Sequence, residues 1–79
     1  MQRLMTEPKV VGTRRLVKAI EQGLVKTAFV ATDADLFITR QIEELCEKHG
    51  VPVVAVPSSK ALGEACKVQV KTAGAGLLK

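Results

Sequence analysis

The sequence predicts an α/β fold, a three-layer α/β/α sandwich around a small mixed four-stranded sheet. Three observations carry this expectation. Short valine-rich runs alternate with segments whose apolar residues recur at helical spacing, in the order β, α, β, α, β, α, β, and such alternation builds layered α/β domains. The stretch from Ala28 to Ala31 is apolar without a break, as in a central strand covered on both faces. The composition, 47 % hydrophobic and 25 % charged over 79 residues, is that of one ordinary globular domain and is too apolar for a disordered chain. A domain of this size buries only about 60 % of the surface that its unfolded chain exposes, so the core is modest.

Residues 1–9 are weakly patterned. Pro8 blocks a continuing helix and biases Glu7 towards an extended shape. A poorly ordered or short helical lead-in is expected there, followed by a single domain over residues 10–79. Val10 and Val11 read as a short strand. A helix follows from Thr13, a candidate cap, to Gln22. Leu16, Val17 and Ile20, with Ala19 beside them, make one apolar stripe, while Arg14, Lys18 and Gln22 step by four along another face next to Arg15. Gly23 is placed to end this helix in the left-handed conformation. Val25–Thr32 is the central strand, and Asp33-Ala34-Asp35 is a turn in which either aspartate can cap the next helix.

Leu36–His49 is the longest helix. Ile38, Ile42, Leu45, Cys46 and His49 share one side; Arg40, Glu43, Glu44 and Glu47 share the other; Gly50 caps the end. Val51–Pro57 is a second β-type run, and the prolines at its two ends, Pro52 and Pro57, place it at a sheet edge. Ser58 and Ser59 are cap candidates for a short helix, Lys60–Cys66. Val68–Leu78 supplies the last strand, through Val68, Val70 and the Ala/Gly/Leu run. Gly74-Ala75-Gly76 is not a dinucleotide fingerprint, because no helix and no downstream acid follow it. Small residues there permit close helix–sheet packing.

The charge balance narrows the function. Lys and Arg number 12 against 8 Asp and Glu, a net charge of +4, which favours a polyanionic partner. Trp and Tyr are absent and there are two Phe, too few for a binder built on aromatic platforms. A nucleic acid would be held through groove edges, backbone and shape. No apolar run approaches the roughly 20 residues that span a bilayer. The N-terminus lacks the apolar core of a secretory signal, so a cytoplasmic location is expected, with no membrane partner. Cys46 and Cys66 fall on apolar stretches and read as buried, reduced thiols. Cys46 and His49 have ligand-like spacing, but a structural zinc needs four ligands and only Cys66 remains among Cys and His. No phosphate loop or nucleophile–base pair is present. The reading is a non-enzymatic protein without metal or cofactor. No long apolar surface stripe calls for a dimer, so a monomer is expected.

The stretch Val10–Lys18 concentrates the charge. A helix N-terminus is an anion site, because its first N–H groups lack partners and the macrodipole ends there. Arg14 and Arg15 in the first turn oppose that dipole, an arrangement that suits a strongly anionic ligand over the turn. A solvated basic face is the plainer alternative.

Four motifs in order make the chain recognisable. Gly12-Thr13-Arg14-Arg15-Leu16-Val17-Lys18-Ala19-Ile20 with Gly23 resembles a Gly-Thr-Asn-Glu-x-x-Lys-Ala signature. Val25–Asp35 resembles Val-x-x-Val-Val-x-Ala-x-Asp-Ala-Asp. Cys46–Pro52 resembles Cys-Glu-x-x-x-Val-Pro, and Val56–Cys66 is similar to a Ser-Lys-x-x-Leu-Gly-x-Ala-Cys segment. These are the signatures of the ribosomal protein L7Ae and L30e family of kink-turn RNA binders. The resemblance covers about residues 10 to 78, and the short length looks like the small bacterial branch of YbxF type. The resemblance implies binding to structured RNA, a kink-turn or ribosomal RNA, and an association with the ribosome. By position it implies a first grip at Gly12, Thr13, Arg14, Arg15 and Lys18, entering an opened major groove beside sheared G·A pairs. It implies a second grip at Val56, Pro57, Ser58, Ser59 and Lys60, holding an extruded nucleotide that Ile38 borders. One departure stands out. Arg14-Arg15 replaces Asn-Glu, and arginine cannot accept from a guanine amino group as glutamate can. The competing expectation, from another class, is a protein-interaction module that docks through the acidic face of the long helix.

Overall fold

The computed structural model describes residues 8–66 and 72–79. Among the described residues seven elements follow one another: β1 (Lys9–Val11), α1 (Thr13–Glu21), β2 (Val25–Ala31), α2 (Leu36–His49), β3 (Val53–Val56), α3 (Ser59–Ala65) and β4 (Gly74–Leu78). The expected lead-in over residues 1–7, and Val68 and Val70 of the expected last strand, lie outside the described residues. The first strand begins at Lys9, one residue earlier than expected, and the described part of the last strand is its Gly/Ala/Leu run.

The sheet is mixed, in the order β1-β4-β2-β3. β4 is antiparallel to both β1 and β2, and β2 is parallel to β3. The apolar run of β2 takes a central place and the proline-flanked β3 an edge, as the sequence predicts. Helices cover both faces. Leu16, Ala19 and Ile20 of α1 and Ile42 and Cys46 of α2 pack with Val25, Ala28 and Val30 on one side. Leu62, Ala65 and Cys66 of the α3 segment pack with Phe29, Ala31, Val56, Ala75 and Leu77 on the other. This is the three-layer sandwich. The alternating side chains of Ala28–Ala31 feed the two cores in turn, which is why this part of β2 is apolar without a break.

The small residues of β4 set how closely the helices approach. A Cβ on Gly76 would lie 2.7 Å from Leu16 Cδ1, and one on Gly74 would lie 2.8 Å from Ile42 Cδ1. Both glycines therefore make room for side chains of α1 and α2. The expected apolar side of α2 ends sooner than the spacing indicates. His49 is exposed, and Val51, beyond the left-handed turn at Gly50, packs against the core instead. Thr39 is buried on the same helix, and its hydroxyl donates to the Leu36 carbonyl at 3.1 Å, which satisfies the buried polar group.

Candidate nucleic-acid interface

Strands β1, β2 and β3 point the same way, because β1 and β2 each run antiparallel to β4 and β3 is parallel to β2. Each is followed directly by a helix. The starts of α1, α2 and α3 therefore gather at one edge of the sheet, the edge at which β4 begins. Backbone bonds tie this edge together. Gly12 N–H donates to Gly74 O at 3.0 Å, Ala31 N–H to Ala73 O at 3.0 Å, and Thr32 N–H to Val56 O at 2.8 Å.

The three helix starts differ in chemistry. At α2, the Asp35 carboxylate accepts from the Phe37 N–H at 2.8 Å. At α3, Ser58 Oγ accepts from the Ala61 N–H at 2.9 Å, and the Asp33 carboxylate accepts from the Ser59 N–H at 2.7 Å. At α1 no side chain among the described residues caps the helix. The cap position belongs to Gly12 rather than to Thr13, which is the first helical residue. Gly12 has φ 102°, a conformation that a side chain opposes. The first bond of α1 runs from the Leu16 N–H to Gly12 O at 2.9 Å, so the N–H groups of Thr13, Arg14 and Arg15 precede the intrahelical ladder. The first turn holds no acidic residue. Arg14, Arg15 and Lys18 are exposed and Thr13 is half-buried.

The second group of expected residues lies at the same edge. Pro57 and Lys60 are exposed, and Ser58 and Ser59 are half-buried. Val56 is 2 % exposed and belongs to the core; its carbonyl takes the Thr32 N–H. Its part is to anchor the loop rather than to offer a surface. Ile38 is half-buried against the core beneath α1 and α2. The topology thus brings Gly12, Thr13, Arg14 and Arg15 to the same edge as Pro57, Ser58 and Ser59. Lys18 stands one turn along α1.

Sequence reasoning missed the residues that fix this edge. Asp33 reads locally as a cap for α2, yet it holds the start of α3 from 26 residues away. Thr32 Oγ1 donates to the Pro57 carbonyl at 3.3 Å. The Thr72 N–H donates to Ser59 O at 3.2 Å, and its hydroxyl donates to Gly74 O at 3.0 Å. Apart from the local Thr72–Gly74 bond, these pairings have no local sequence signal, since their partners lie on different connections. The sequence also left unmarked the exposed Leu36 and Phe37 in the first turn of α2.

Comparison with known proteins agrees with the motifs. An RNA-binding protein of Geobacillus kaustophilus is 39 % identical over 70 residues, covering 89 % of this chain and 85 % of the relative. The RNA-binding protein YbxF of Geobacillus stearothermophilus is likewise 39 % identical over 70 residues, with the same coverage. Among solved structures, the Giardia lamblia 15.5kD RNA binding protein superposes with a TM-score of 0.84 at 35 % identity, over 90 % of this chain. The chain spans 60 % of that protein's length. A Bacillus halodurans protein of unknown function, 22 % identical over 90 % of this chain and 71 % of its own, shares the fold with a TM-score of 0.82. A family model, that of the ribosomal protein L7Ae/L30e/S12e/Gadd45 family, matches residues 2–79. By its four ordered motifs, its α/β/α sandwich and this match over nearly its whole length, the chain belongs to the ribosomal protein L7Ae/L30e/S12e/Gadd45 family.

Proposed function

We propose that this chain binds structured RNA of kink-turn type as a single domain over residues 10–79, in the cytoplasm and in association with the ribosome. The observation that carries the reading is the contrast among the three helix starts. Carboxylate or hydroxyl oxygens close the starts of α2 and α3, while α1 starts at an uncapped glycine followed by two arginines. Open N–H groups, the positive end of a helix and two guanidinium groups together suit a phosphate-rich ligand. The relatives named for RNA binding cover most of this chain and support the choice of nucleic acid.

The family resemblance implies a kink-turn, and the physics of groove access is compatible with it. The major groove of regular A-form RNA is too narrow and deep to admit a helix end, so a kinked duplex that opens the groove is the target a helix end can use. In the first grip, Gly12 lets the backbone approach closely, Arg14 and Arg15 donate to phosphate or to guanine O6 and N7, and Lys18 meets phosphate. In the second, Pro57, Ser58, Ser59 and Lys60 hold an extruded nucleotide, with Val56 anchoring the loop and Ile38 at the border. Arg15 cannot take a guanine amino proton. Phosphate and backbone contacts therefore count for more here than base readout.

The test is a titration of two RNAs at two salt concentrations: a kink-turn, and the same RNA with its G·A pairs replaced by Watson–Crick pairs. The kink-turn binds about tenfold tighter or more, with a salt slope equivalent to a few phosphates at about 0.7 to 0.9 per contact. Equal weak binding to both RNAs would reduce the interface to non-specific charge.

A further inference from the structure

The chain has two phenylalanines and neither tryptophan nor tyrosine, and the fold places the two rings differently. Phe29 is 7 % exposed, inside the core beneath α3. Phe37 is 80 % exposed, in the first turn of α2, and Leu36 before it is 66 % exposed. The packing of α2 does not use either residue; Ile38, Ile42, Leu45 and Cys46 face the core. A scattered exposed leucine is ordinary on a protein surface. A ring left in water forgoes the stabilisation that burial would give it, so its placement needs a reason.

Position and surroundings point to one occupant. Helices α1 and α2 leave the same sheet edge and pack against one another on one face, so the turn that holds Phe37 lies on the same side as the turn that holds Arg14 and Arg15. Phe37 shares an open hollow of about 370 Å³ with Arg40, Gln41 and Glu44. Arg40 and Gln41 stand one turn along from the ring, and Glu44 lies a further turn away. A flat apolar face, a guanidinium group and an amide within one turn suit a nucleobase with its phosphate. Protein interfaces also enrich Phe and Arg, and Glu44 offsets Arg40 within the hollow; the arginine-bearing, uncapped start of α1 on the same side is what selects RNA as the occupant. Base–aromatic stacking tolerates any sequence, because every base has a π-face.

We infer that Phe37 is a stacking platform for an unpaired nucleobase of the bound RNA, separate from the two grips, with Arg40 set to meet the adjoining phosphate. This rests on the RNA reading above. It also revises what composition implies: the chain has too few aromatics to hold single strands by stacking, yet it spends one of its two rings as a single contact beside the grips.

Absence of tryptophan makes the test clean, since Phe37→Trp introduces a lone indole reporter. The side chain is exposed, so the variants fold; circular dichroism and a melting curve verify it. Phe37→Trp binds kink-turn RNA more tightly than Phe37→Ala, as a conservative aromatic replacement should, and its emission is quenched on binding. Phe37→Ala and Phe37→Leu each lose about tenfold in affinity. Replacing the unpaired nucleotides one at a time with abasic sites abolishes the difference between wild type and Phe37→Ala at one position. Equal affinity of wild type and Phe37→Ala, or unquenched emission of the bound Trp variant, overturns the inference and leaves the ring to a protein partner or a second copy. The two readings fail separately. A wild type that discriminates the kink-turn from its Watson–Crick control while matching Phe37→Ala sinks only the stacking role; a wild type that does not discriminate sinks both.

Discussion

Gly12, at the sheet edge, and Gly76, inside β4, do opposite work, and each is testable. Gly12 has φ 102°, and a Cβ there would meet nothing within 4 Å, so its conformation and not crowding demands glycine. Gly12→Ala is expected to cost about 1–2 kcal/mol through backbone strain, read as a lower urea midpoint. Gly76 is the converse case. Its Cβ would lie 2.7 Å from Leu16 Cδ1 and 3.1 Å from Val25 Cγ1, and both of those side chains are fully buried. Gly76→Ala is expected to cost about 1–3 kcal/mol by overpacking, and a paired Leu16→Val change should restore part of it. The need for small residues at positions 74 and 76 was legible in the sequence, because no phosphate-binding context accompanied them. The atoms that fill the space were not, since Leu16 and Ile42 come from helices far away in the chain. The uncapped start at Gly12 was legible only in part: Thr13 looked like the cap until the backbone showed it one position inside the helix.

At the scale of elements, the local caps were readable and the long-range ones were not. Asp35 and Ser58 each bond an N–H two or three residues onward, the pattern that capping preferences encode. Asp33 looked equivalent but serves α3, 26 residues away. It therefore couples the β2–α2 turn to the loop that carries the second grip. Asp33→Asn is expected to leave α2 intact and to loosen the start of α3. The cost should be about 1 kcal/mol for a charge-assisted bond at an exposed site. Amide exchange at Ser59 and Lys60 measures it. Under the proposed function the same variant should weaken RNA binding less when the extruded nucleotide is abasic, because the loop then has less to hold. His49 shows the opposite limit of pattern reading. Its spacing put it on the apolar side of α2, but the helix ends there, and Val51 fills the place instead.

For the whole molecule, the alternation of strands and helices was sufficient to give the sandwich, because β2 must bury both faces and only helices on both sides can cover it. The gathering of three helix starts at one edge needed the sheet order, which no local signal carries. Each core layer contains one thiol, Cys46 beneath α1 and α2 and Cys66 beneath α3. Both are free. Burial pushes both thiols above their ordinary value; Glu43 raises Cys46 further, and Lys9 partly opposes the shift at Cys66. Since the folded-state values are raised, the neutral thiols favour the folded state fully below the ordinary thiol range. That stability declines as pH rises through it, because the unfolded chain ionises first. The urea midpoint should therefore fall between about pH 8 and about pH 10. Reactivity of the two thiols should appear together if both layers unfold as one unit. Under the proposed function the RNA lies along the edge where the three helices start. Amide chemical shifts of the 15N-labelled chain, followed through a kink-turn titration, test it most directly. The largest changes are expected at Gly12 to Lys18, at Thr32 to Phe37 and at Pro57 to Lys60, all on one edge of the sheet. Changes confined to the acidic face of α2, at Glu43, Glu44 and Glu47, would contradict it.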